Sequence, residues 1–184
     1  MPRGRARTIP AVTVGAYPGS FDPPTVAHLA IAAAAIRQGG LTRIDLVLAR
    51  EPLGKATGRA TLEAREEVLI AVTVGRPWLS VRVTETRLIA DVAAGYDAVV
   101  LGADKWAQVV DPAWYESDEA RDDALHRLPR VLVAPRAGVT PRDLPPDALV
   151  LDVHAAHRDV SSTGAHDGET DWMLTEARQS GWWS

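Results

Sequence analysis

With 184 residues, 46% of them hydrophobic and 24% charged, the chain has the makeup of one soluble globular domain, long enough to bury roughly two-thirds of the surface it exposes when unfolded. No apolar run approaches the roughly 20 residues that cross a bilayer, and the absence of cysteine excludes disulfides, thiolate metal sites and cysteine redox chemistry while agreeing with a cytoplasmic location. A net charge of −4 argues against coating nucleic acid by general electrostatics, so an anionic ligand must be met by local groups. Residues 1–10, with Arg3, Arg5 and Arg7, read as a disordered tail. The apolar stretch that follows is broken by Gly15, Pro18 and Gly19, which is not the build of a signal peptide. Residues 11–184 read as a single domain.

In chain order, Val12 to Ala16 predicts a strand that Pro18-Gly19 ends, and Thr25 to Arg37 an alanine-rich helix that Gly39-Gly40 ends. Thr25, directly after Pro23-Pro24, is placed to cap that helix, which puts His28 at its third position. Ile44 to Ala49 is a second strand, and after a loop over Arg50 to Ala60 a second helix is expected from Thr61 to Val74, with Glu63 near its positive end. Leu79 to Val83 alternates as a third strand, Arg87 to Ala94 reads as a short helix and Ala98 to Leu101 as a buried fourth strand. Ser117 to Leu128 is helical in pattern, and Val131 to Ala134 and Leu149 to Val153 are further strands. The alternation implies a Rossmann-like, doubly wound, mostly parallel sheet of five to six strands with helices on both faces. Such a sheet binds ligands beyond the carboxyl ends of its strands, where the strand order switches.

The segment from Tyr17 to His28 joins the first strand to a helix N-terminus. A polyphosphate there meets unpaired backbone N–H groups, the helix dipole and the hydroxyls of Ser20 and Thr25, while Gly19 lets the backbone come close. His28 can donate to a non-bridging oxygen, a bond worth most as charge builds on a pentacovalent phosphorus. Taken without the rest of the string, the same residues favour an ordinary strand-to-helix turn, with His28 satisfied by a neighbouring carbonyl. The string is neither Gly-x-Gly-x-x-Gly nor a Walker loop.

As a whole it resembles the nucleotidylyltransferase family with the HIGH motif, in which Gly-Ser/Thr-Phe-Asp-Pro is followed by His/Thr-x-Gly-His. Gly19, Ser20, Phe21, Asp22 and Pro23, then Thr25 and His28, match in type and spacing. The resemblance implies transfer of a nucleoside monophosphate from a triphosphate to a phosphate on the acceptor, with release of pyrophosphate. It also implies Mg²⁺ carried by the triphosphate and not by a metal site of the protein. The resemblance implies that Ser20 and His28 contact the phosphates being separated, that Thr25 takes the place of the motif's first His or Thr, and that Gly19, Phe21 and Ala27 belong with them to the ATP-binding site. The chain departs from the motif at Ala27, where the consensus has glycine. The orientation of that methyl decides whether it obstructs the nucleotide.

Other patches extend the resemblance over about Val12 to Thr163. Gly102 and Asp104 end the fourth strand, where glycine allows backbone approach and the carboxylate can accept from ribose hydroxyls, although on its own Gly-x-Asp reads better as a solvated turn. Within the family the patch looks like that of nicotinate or nicotinamide mononucleotide adenylyltransferases, which implies that Trp114, or less directly Trp106, stacks on the acceptor's ring and that Arg136 lies in an acceptor-binding loop. Ser161, Ser162 and Thr163 offer three hydroxyls at a helix start, suited to phosphate oxygens or to simple capping. They resemble the closing Ile-Ser-Ser-Thr-x-x-Arg motif, with His166 in the arginine's place. Lys55 stands where relatives carry a lysine that meets the transferring phosphate. Thr61-Leu62-Glu63-Ala64-Arg65 resembles the opening of the family's next helix, with Arg65 read as a structural bridge to carboxylates.

The expected function is therefore AMP transfer from ATP to a small phosphate-bearing acceptor, a pyridine mononucleotide, with no nucleic acid or membrane partner. Assembly with further copies is left open. The alternatives are a non-catalytic nucleotide-binding or sensing protein, which Ala27 and His166 favour, and a phosphopantetheine adenylyltransferase-like enzyme.

Overall fold

A computed structural model describes residues 12–51 and 60–183. Lys55 and most of the loop expected around it lie outside the described residues, as does the arginine-containing tail. Six strands form one sheet: β1 (Val14–Pro18), β2 (Arg43–Ala49), β3 (Leu79–Thr84), β4 (Ala98–Gly102), β5 (Arg130–Ala134) and β6 (Leu149–Val150). Their order is β3-β2-β1-β4-β5-β6 and every pair is parallel. That is the doubly wound arrangement, in which the chain runs outward in one direction from β1 and then returns to build outward in the other from β4. β6 is shorter than the expected Leu149 to Val153, because only Leu149 and Val150 find ladder partners on β5.

Alternation along the strands divides the core. On β4 and β5, Ala98, Val100, Leu132 and Ala134 face one layer, together with Tyr17, Ile44, Leu46, Leu48 and the alanines of α1 (Val26–Gly39) and with Leu69 and Val72 of α2 (Leu62–Thr73). The intervening Val99, Leu101, Val131 and Val133 face the other, against Trp106 and Val109 of α4 (Ala103–Val110). Strands buried on both faces read as continuous apolar runs, which is how β4 and β5 appear in the sequence. α3 (Ile89–Val92) and α5 (Asp118–His126) complete the second layer, and α6 (Ser162–His166) and α7 (Thr175–Ser180) follow the sheet.

α4 was not anticipated from the sequence, which read Gly102 to Asp104 as a turn. Gly102 is instead the N-cap of α4, and Asp104 lies in its first turn.

Candidate active site

The carboxyl ends of β1 and β4, the two central strands, bound the switch-point crevice. β1 leaves the sheet through Gly19, whose N–H still reaches the Val47 carbonyl at 3.1 Å. Phe21 then turns its ring inward with φ of 45° and is fully buried. Gly19 is needed for this turn: a Cβ there would stand 2.8 Å from the Phe21 ring. The Phe21 side chain is thus a core anchor, which corrects its assignment to nucleotide contact. Only its backbone is placed to meet a ligand.

Thr25 is the N-cap of α1, as expected, and His28 is at its third position. Nδ1 of His28 accepts the Thr25 backbone N–H at 2.9 Å and lies 2.9 Å from the Thr25 hydroxyl. A backbone N–H can only donate, so Nδ1 is the acceptor and the ring's proton is on Nε2. The ring also lies edge-on to Phe21, with centroids 5.0 Å apart, so a cap bond and an aromatic contact fix both tautomer and orientation. Ala27 is only 4% exposed. Protein atoms cover its methyl, so it does not project into open space at the start of the helix.

Beneath the loop lies Arg65. It is buried, and Nη1 donates to the Ser20 carbonyl at 2.9 Å while Nε donates to the Thr61 carbonyl at 3.3 Å. It bridges carbonyls, not the carboxylates expected for it. It thereby ties the cap of α2, where Thr61 accepts from Ala64 N–H, to the loop after β1.

Beside this loop opens a mostly apolar cleft of about 830 Å³, counting its solvent-open mouth. Its lining comes from Pro18, Gly19 and Ser20 after β1, from Val47 and Ala49 of β2, and from residues of α3 and α4. Trp114, 42% exposed, and Tyr115 stand at one side, and Arg87 and Lys105 bring two cationic side chains to the lining. Arg87 was not singled out by sequence reasoning. It precedes a short helix with no motif around it, and only the fold brings it to the same cleft as Ser20.

Other expected residues are placed differently. Trp106 is 1% exposed, packs between α4 and the sheet, and donates from Nε1 to the Arg142 carbonyl at 2.7 Å. A satisfied, fully buried indole has no face to offer a ligand, so Trp106 is corrected from acceptor contact to core. Arg136 does not line the cleft with Trp114. Its Nε pairs with Asp104 at 2.8 Å, which moves it to the carboxyl ends of β4 and β5, where Gly102 faces open space. Of the three late hydroxyls, Ser161 caps α6 by accepting from Gly164 N–H, and Ser162 donates to the Pro23 carbonyl at 2.8 Å. Thr163 is exposed. His166 turns inward, its Nε2 3.9 Å from Asp22 Oδ1.

A parallel sheet with this strand order, a glycine-led loop entering a capped helix and a cleft at the switch point define a Rossmann-like, doubly wound α/β fold. Residues 16–165 match the model of the cytidylyltransferase-like family, and the chain belongs to that family. Among its relatives, a protein of Bordetella avium (strain 197N) described as a probable nicotinate-nucleotide adenylyltransferase is 36% identical over 72 residues, 39% of this chain and 36% of that protein. The match therefore spans about a third of that relative's length. The Plasmodium falciparum nicotinic acid mononucleotide adenylyltransferase complexed with NaAD superposes with a TM-score of 0.70 over 92% of this chain and 94% of its own, at 15% identity. The same enzyme complexed with APC gives 0.64 over 85% and 83%, also at 15% identity. At that identity the likeness is one of fold.

Proposed function

We propose that the protein is an adenylyltransferase that moves AMP from ATP to the phosphate of a pyridine mononucleotide, nicotinate mononucleotide above all. The observation that carries this reading is that Gly19 and Ser20, which open the loop leading to the Thr25 cap and His28, line the same apolar cleft as Trp114, Arg87 and Lys105. A flat ring suits the Trp114 face, and acidic groups of the acceptor suit the two cations. The nicotinate-nucleotide adenylyltransferase relative and the superposable structures support the same acceptor.

In this reading the triphosphate lies along the loop and the start of α1, with the adenosine toward Gly102, Asp104 and Arg136. An oxygen of the acceptor's phosphate attacks the α-phosphorus in line. A new P–O–P bond forms, the bond to the β-phosphate breaks, and pyrophosphate leaves with the electron pair. No side-chain nucleophile is needed, since positioning and charge stabilisation carry such transfers. His28 donates from Nε2 to an oxygen on the α-phosphorus, the hydroxyls of Ser20 and Thr25 lie beside the loop, and Lys55 is assigned to the transferring phosphate. Among the described residues no three acidic or histidine side chains converge on a metal-sized position. In this reading Mg²⁺ would enter on the triphosphate's own oxygens and would supply positive charge for the leaving pyrophosphate.

A second reading, a nucleotide-binding protein without transfer, is favoured by His166. It stands in the closing motif's arginine position and turns toward Asp22, so no permanent cation is supplied there. A pyrophosphate-release assay with ATP, Mg²⁺ and a panel of acceptors separates the two. Release is expected with nicotinate mononucleotide and not with phosphopantetheine. Trp114→Ala should raise KM for the pyridine acceptor by about fivefold, the worth of one aromatic contact, with ATP nearly unaffected. Tight ATP binding with no release under any acceptor would establish the second reading.

A further inference from the structure

Four successive residues of the phosphate loop are each held by one later segment, residues 160–183. Asp22 Oδ1 accepts the indole N–H of Trp183, and the Pro23 carbonyl accepts the Ser162 hydroxyl at 2.8 Å. The Pro24 carbonyl accepts the Leu174 N–H at 3.0 Å, and Thr25 forms an antiparallel bridge with Met173. Three of these four grips come from residues beyond 165, where the family match ends. The segment is itself seated. Trp172 packs against Gly164, where a Cβ would stand 2.5 Å from its ring. Met173, Ala177 and Trp183 share a buried cluster with Ala60, Ala64 and Val68 beside α2.

Trp183 makes the one grip that reaches a charge. Asp22 is 9% exposed and belongs to the loop that, on the reading above, receives a triphosphate. A buried carboxylate in such a loop repels phosphate and takes a fixed position only when donors hold it. The indole N–H and, at 3.9 Å, His166 Nε2 converge on the same oxygen, Oδ1. We infer that Trp183 is a positioning residue of the nucleotide site: by anchoring the Asp22 carboxylate away from the ligand, it sets the loop from Gly19 to Thr25 in its triphosphate-binding form.

The inference rests on the loop being the ATP site, and the test separates the two. Trp183→Phe keeps the buried ring and removes the donor. It should leave a cooperative thermal transition, weaken ATP binding in calorimetry about tenfold, as expected for a lost hydrogen bond to a charged group, and leave KM for the acceptor unchanged. In an Asp22→Ala background the same substitution should have no further effect on ATP, because the two residues act as one unit. Should Trp183→Phe not fold, Asp22→Asn carries the test. Its amide oxygen still accepts the indole N–H, and ATP affinity should match or exceed that of the natural chain. Natural ATP affinity in Trp183→Phe, equal losses for ATP and acceptor, additive effects in the double variant, or weakened ATP binding in Asp22→Asn would each overturn the inference. ATP binding without pyrophosphate release would overturn only the transfer reading and leave the affinity measurements to decide. No ATP binding by the natural chain would overturn both.

Discussion

At the scale of single residues, His28 carries the sharpest expectation. Its Nδ1 is occupied by the Thr25 N–H, so any donation to phosphate comes from Nε2, and that bond should strengthen as charge develops in the transition state. His28→Ala is therefore expected to lower kcat by about 10²–10³-fold, as loss of one oxyanion donor does elsewhere, with ATP affinity changed far less. Steady-state kinetics beside calorimetry checks this, and equal losses in both would remove the differential role. Ala27 runs the other way. The departure from the motif's glycine raised the question of obstruction, and the burial of its methyl answers that the side chain packs against protein. Ala27→Gly should leave ATP affinity unchanged and lower stability by up to about 1 kcal/mol, the helix cost of glycine. A gain in affinity would show that the methyl does obstruct the nucleotide. Sequence reasoning placed Thr25 and His28 correctly because capping is local chemistry. It misplaced Trp106 and Phe21 because an aromatic side chain beside a motif looks the same in sequence whether it faces the ligand or the core.

At the scale of elements, the strands and the two longest helices were legible because their apolar periodicity and their Gly or Thr boundaries are local signals. α4 was missed although Trp106 and Val109, three residues apart, mark its inner face. The Gly-x-Asp before it suggested a turn and masked the periodicity. The grip of residues 160–183 on the loop was out of reach, since its partners stand 139 and 161 residues apart. A further tertiary device joins β2 to β3. Asp45, 1% exposed, accepts from Arg82 at 2.8 Å, from Arg43 and Tyr96 at 3.0 Å each, and from Ser80. Burial raises the Asp45 carboxyl pKa, but the hydrogen bonds from Ser80 and Tyr96, the charge of Arg43 and the bond from Arg82 together bring it below its ordinary value. A depressed folded-state pKa stabilises the fold above the unfolded value, about 3.9. That contribution is lost as pH falls through the lower folded value. Denaturant melts between pH 6 and 2 should show stability falling below about pH 4. Asp45→Asn should be less stable at pH 6 and show a shallower acid loss. An unchanged acid slope in that variant would assign the loss to other groups.

At the scale of the whole molecule, the parallel sheet and its binding edge follow from the alternation of strands and helices. The strand order, by contrast, was supplied by the structure. That order puts β1 and β4 side by side, which joins the loop after β1 to the residues that follow β3 and β4 around one cleft. Family membership covers residues 16–165, and the function proposed for this crevice is adenylyl transfer to a pyridine mononucleotide. The most direct measurement uses ATP labelled at the α-phosphorus, incubated with Mg²⁺, nicotinate mononucleotide and the purified protein, followed by separation of the products. Adenylyl transfer predicts label in a pyridine–adenine dinucleotide, one unlabelled pyrophosphate per dinucleotide, and loss of both in His28→Ala. Label that stays in ATP while the protein binds ATP and nicotinate mononucleotide, or that appears only in free AMP, would contradict it.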